Sequence, residues 1–135
     1  MPGPNFVLDK GFYAETAVNL FYAVKQGTAA ESVTAVTAVN EFAWGIAQEA
    51  TTLADAQAGR AINVRLMGIS RAVAQAPITR GARVRTHSSG KLTVLAGTAG
   101  TVEFIVGIAT TAAAADGDHF DVLLTPGVTS NTAVS

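Results

Sequence analysis

Residues 41–47 read EFAWGIA, and residues 103–109 read EFIVGIA, with five of the seven positions identical. The likeness extends beyond the heptads. Val24 precedes a turn in the first half much as Val84 does in the second. Downstream, Gly59 lies five residues before Val64 and Gly117 five residues before Val122, and each stretch ends at a glycine, Gly68 or Gly127. A chain written this way is constrained to fold as two related units. The period is longer than that of solenoid repeats, and there are only two copies, so the economical arrangement is two units around a common core.

The letters inside each unit read as four short strands. Ile62, Val64 and Leu66 alternate with Asn63 and Arg65, which sends the apolar set to a core and the polar set to solvent. Ala82-Arg83-Val84-Arg85 alternates in the same way. Val102, Phe104 and Val106 are expected on one face of a strand, with Glu103 and Ile105 on the other. Ser88-Ser89-Gly90 is a turn between strands, with glycine supplying positive φ. The heptad glycines, Gly45 and Gly107, fall within strands and predict a bulge or a close backbone approach. Glu49 to Ala58 favours at most a helical turn, and TAAAA at 111–115 is too short for a stable helix.

The expected fold is therefore all-β: a small β-barrel or β-sandwich built from two related units, at about 17–68 and 76–127. Residues 1–16, with Pro2, Gly3, Pro4 and Gly11, read as an extended N-terminal arm, residues 17–127 as a single β-barrel domain, and residues 128–135 as a flexible tail.

Composition narrows the function. The 135 residues are enough for one domain that folds without staples, and cysteine is absent, which removes disulfides, thiolate metal sites and thiol nucleophiles. Apolar residues make up 49% and charged residues only 14%, a low charge for a free monomer, which points to surface covered by other protein. No run reaches the roughly 18 apolar residues of a membrane span, so no membrane partner is expected. No signal peptide is expected either, because MPGPNFVLDKG lacks a basic start followed by an apolar stretch. Residues 1–59 carry a net charge of −4 (two lysines against six acids), and residues 60–135 carry +3 (seven cations against four acids). That asymmetry fits an acidic partner, or the acidic half of another copy.

The search for chemistry returns nothing that turns over a substrate. His87 lies beside Ser88, too close in sequence for a relay and without an orienting acid. His119 sits among Asp116, Asp118 and Asp121, but the run lacks the spacing and closing glutamate of a calcium loop and reads as a solvated turn. Catalytic residues, metal ligands and cofactor-binding residues are all expected to be absent. Trp44 reads as a packed aromatic, its counterpart being Val106. Arg60, Arg65, Arg71, Arg80, Arg83 and Arg85 form a basic run, yet no aromatic residue lies between Trp44 and Phe104, which argues against single-stranded nucleic acid as a partner. The candidate partner contacts are Phe6, Val7, Phe12 and Tyr13 of the arm, with Arg60, Arg65, Arg80, Arg83 and Arg85.

The run PITRGARVRTHSSGKLTV followed by EFIVGIATTAAAADGDHFDVLL resembles the decoration, or capsid cement, proteins of tailed-bacteriophage heads. The matching positions are Gly81, Val84, Gly90, Gly107, Ile108, Ala109, Ala113 to Ala115, Gly117, Asp118, Val122 and Leu124. The resemblance spans about residues 40–127. It implies a compact β-barrel, assembled as a homotrimer on the capsid exterior, present in the host cytoplasm during assembly, and tying copies of the major capsid protein together without catalysis or cofactor. The reading from a different class is a small β-barrel binding module for carbohydrate or peptide.

Overall fold

The computed structural model describes residues 7–130, so Phe6 and most of the expected tail lie outside the described residues. The strands, in order, are β1 (Leu8–Ala14), β2 (Ala23–Gln26), β3 (Ser32–Ala35), β4 (Gly45–Ala47), β5 (Ala61–Met67), β6 (Ile69–Val73), β7 (Arg83–Thr86), β8 (Leu92–Val94), β9 (Val102–Ala109) and β10 (His119–Ser130). One short helix, α1 (Leu53–Gln57), follows β4. Thr52 caps it by accepting a hydrogen bond from the Asp55 backbone N–H.

Strand order shows the duplication directly. The first unit is a closed barrel in the order β1-β3-β2-β4-β5, with β1 parallel to β3 and antiparallel to β5. The second unit is a five-stranded sheet in the order β6-β10-β9-β7-β8. Replacing each strand by its counterpart gives the same cyclic order, read in the opposite direction. The parallel closure of the first barrel has its echo too: Ala74, just past β6, bridges Leu92 of β8 in parallel. The isolated bridge Val18–Thr51 is likewise repeated as Ile78–Ala113.

The all-β fold is as expected, but each unit has five strands where the sequence reading found four. The additional strand comes first in each unit. Residues 8–14, expected within an arm, form β1 and pair with β5 from Leu8–Met67 to Tyr13–Ala61. The mid-strand Gly11 and the charged Asp9 and Lys10 obscured it, because only Phe12 and Ala14 turn inward. At the other end β10 runs on to Ser130, so residues 128–130, expected in the tail, pair with β9.

Alternate residues of the first unit's strands divide between two cores. Val24, Ala47 and Val64 join Phe12, Val33 and Ile62 inside the first barrel. Their neighbours Ala23 and Ile46 point the other way, into a cluster with Ala74, Ile78, Leu92, Val106, Phe120 and Val122 of the second unit. The period of two thus sends one face of β2 and β4 to each core.

Candidate interaction surfaces

The repeated heptads carry the junction between the units. Phe42 and Phe104, the same letter of each heptad, meet edge to face with ring centroids 5.9 Å apart. Asn40, held at φ 66°, bridges the units with both ends of its amide: Nδ2 donates to the Val102 carbonyl at 2.8 Å, and Oδ1 accepts from the Phe104 N–H at 2.9 Å. The Thr86 hydroxyl donates to the Glu41 carbonyl at 2.9 Å and accepts from the Glu41 N–H at 2.8 Å.

The heptad glutamates are clamps. Glu41 accepts from Lys25 Nζ and from the backbone N–H groups of Thr37 and Ala38, at 2.8 and 2.6 Å. Glu103 accepts from Arg85 Nη1 at 2.9 Å and from the N–H groups of Ala96 and Gly97, at 2.8 and 3.0 Å. Each carboxylate therefore pins the preceding loop and pairs with a cation on the same strand of its own unit, β2 or β7. Burial raises the Glu41 pKa, but the Lys25 bond and the two backbone donors outweigh it and bring it down to about 2. Glu15 is a third clamp, held at about 2 by N–H donation from Thr28 and Ala29 and by the Ser32 hydroxyl. Glu103, expected on the strand face opposite Val102, is the enclosed one: only 1% of it is exposed, because Arg85 and the loop N–H groups satisfy it in the interior, while Val102 is exposed.

The heptad glycines answer to close approach. A Cβ on Gly45 would lie 2.2 Å from the Arg65 carbonyl oxygen, and one on Gly107 would lie 2.1 Å from the Leu123 carbonyl oxygen. No side chain fits at either site.

The groups that hinted at chemistry have structural partners. His87 Nδ1 and Ser88 Oγ are 3.1 Å apart at the surface. Lys91 holds Asp116 at 2.9 Å, which raises the lysine pKa. Asp118 accepts from the Ala114 and Ala115 N–H groups, and Asp121 faces Arg71 at 3.8 Å. No group of three or more metal-ligating side chains occurs among the described residues. Trp44 packs, tilted, against Phe12 at 5.5 Å.

The proposed contact residues separate once placed. Phe12 is 6% exposed and belongs to the first core, so it presents no surface. Arg85 is committed to Glu103. Arg65 donates to both carboxylate oxygens of Asp9, at 2.8 and 3.1 Å, and to the Ile69 carbonyl, and the bond to the arginine lowers the Asp9 pKa. Arg60 is exposed beside Asp55. Val7 and Tyr13 are exposed, as are Arg80 and Arg83. Val7, Arg65, Ile69, Ser70, Arg71 and Asp121 line an open cleft of about 390 Å³ where the units join.

The sequence reading missed a second set. Across β6, β10, β9 and β7 run Ile69, Leu123, Ile108 and Arg83, each the cross-strand partner of the next. They form one outward row, with Ile69 and Leu123 exposed. The signal was present in the β-branched and leucine letters, but their facing depends on register.

No protein-family model matches the chain, and no curated protein matches it. Among solved structures, the chain is similar to the head fiber gp8.5 N base of bacteriophage phi29. The TM-score is 0.66 at 14% identity, covering 89% of this chain and 95% of that chain. At that identity the likeness shows the fold. The all-β architecture expected from the resemblance to phage-head proteins is thus shared with a protein of a phage head.

Proposed function

We propose that this chain is a structural protein of a phage virion, seated on the exterior of the head, where it binds the major capsid protein and reinforces the shell by bridging its subunits. The observation that carries this reading is the shared fold, over nearly the whole of both chains, with a head protein of phage phi29. Three features support it. The ionisable groups serve as clamps and turn locks. Charge is sparse. Large apolar side chains such as Tyr13, Met67 and Val128 stand in solvent. Many copies on a lattice turn modest contacts into firm attachment, and a homotrimer is the assembly this reading favours.

The test is co-sedimentation of the purified chain with assembled heads that lack it, followed by a reconstruction of the decorated particle. Saturable binding at defined lattice positions is expected. Absence of binding, together with a glycan or peptide ligand captured by the monomer, would favour the binding-module reading. Trimming to test an arm must stop at residue 6, because residue 8 begins β1.

A further inference from the structure

Inside this molecule one unit already docks on the other, and the two surfaces used can be traced onto their counterparts. The first unit presents Phe21, Ala23 and Ile46. Phe21 meets His119 edge-on at 5.8 Å, Ala23 and Ile46 are buried in the second unit's cluster, and the Ala23 carbonyl lies so close to Gly90 that a Cβ there would stand 2.7 Å from it. The receiving surface of the second unit therefore includes His119, its cross-strand partner Val73, and Gly90.

Register fixes the counterparts. Ala23–Ile46 and Ile46–Arg65 pair in the first unit as Arg83–Ile108 and Ile108–Leu123 pair in the second. The presenting face of the second unit is thus Gly81, Arg83, Ile108 and Leu123, and it is not covered within the chain: Arg83 and Gly81 are exposed, Leu123 is 38% exposed, and Ile108 is only half-buried where its counterpart Ile46 is 0% exposed. Tyr13–Ala61 pair as Val73–His119 do. Glu31 holds the place of Gly90, both at positive φ, 57° and 99°. The receiving face of the first unit is therefore Tyr13, Ala61 and Glu31, all exposed.

The geometry points to head-to-tail association between copies of this chain, in which the Gly81–Arg83–Ile108–Leu123 face of one copy docks on the Tyr13–Ala61–Glu31 face of the next. The two free faces complement each other. The internal Phe21–His119 contact becomes Gly81 against Ala61, and the large exposed Tyr13, the cross-strand partner of Ala61, supplies the bulk that both sides lose. Arg83 replaces Ala23 where Glu31 replaces Gly90, so opposite charges meet, with Arg83 joining the exposed Lys10 that already faces Glu31 at 3.5 Å. Because Glu31 carries a side chain where Gly90 has none, this joint is wider at that point than the internal one, with the Arg83–Glu31 pair spanning it. A head-to-tail contact of this kind closes into a ring when its rotation permits. The inference rests on the self-association within the proposed function and is independent of capsid attachment.

Sedimentation velocity on the full chain over a range of concentrations, at low salt, tests it. Reversible association into a discrete oligomer is expected. Leu123→Glu should weaken association about tenfold or more by placing a charge within the apolar part of the contact. Arg83→Glu and Glu31→Arg, both at exposed positions, should each weaken it, and the two together should restore it. Circular dichroism and melting temperature report whether each variant is folded. A folded wild-type chain that stays monomeric overturns the inference, as does a double charge swap no tighter than the single variants. Head binding, measured separately on the same variants, distinguishes loss of self-association from failure of the virion reading.

Discussion

Glu41 and Glu103 are the same letter of the same heptad in two environments, so replacing each by glutamine measures what burial adds to one clamp. Glu103 is 1% exposed, and Arg85 is 19% exposed with its Nε lacking any acceptor. Glutamine keeps the shape but removes the charge, which leaves the guanidinium unpaired and nearly dry. Breaking a buried pair from one side costs about 3–5 kcal/mol. The loop N–H groups of Ala96 and Gly97 belong to exposed residues and can turn to water, so the lower end, about 3 kcal/mol, is the expectation. The Lys25–Glu41 pair leaves about a quarter of each side chain exposed, and water and Thr37 can replace what is lost, so Glu41→Gln should cost about 1 kcal/mol. Equilibrium urea unfolding with a common slope gives both values. Thermal melts should place Glu103→Gln about 10 °C below wild type. Equal losses, or a larger loss for Glu41→Gln, would refute the assignment of the difference to burial.

Other expectations follow from the same geometry. Gly107→Ala or Gly45→Ala sets a methyl against a backbone carbonyl and should destabilise by about 2–3 kcal/mol, whereas Gly11→Ala meets nothing within 4 Å and should be near neutral in the same denaturation assay. Asn40→Ala removes both inter-unit amide bonds from a residue at positive φ and should cost about 2 kcal/mol by urea unfolding. Glu15 and Glu41 titrate near 2 in the fold against 4.5 in the open chain, so their stabilisation is complete above pH 4.5 and is lost as pH falls toward 2. The double variant Glu15→Gln with Glu41→Gln should flatten that part of the stability-versus-pH curve, and an unchanged slope would contradict the assignment.

Much of the architecture was legible from local pattern. The doubled heptad announced two units, alternation located β5 and β7, and glycine within a strand announced a backbone approach that the Arg65 and Leu123 carbonyls supply. Residues 8–14 escaped because a strand with Gly11 at its centre and charges at its start is recognised by its partner β5, which lies some fifty residues away. Phe12, read as a contact, is core for the same reason.

By itself, the sequence determined the class of fold, its duplication and the turns, since these depend on neighbouring letters. Only the tertiary structure decided that Ile46 is buried while its counterpart Ile108 borders solvent, and that Glu103 is enclosed while about a quarter of the Glu41 side chain meets solvent. Alternation states which residues share a face, but the element that covers that face is set by contacts distant in the chain. Identical letters therefore acquire different burial when one unit packs on the other and the second unit's matching face is left outward.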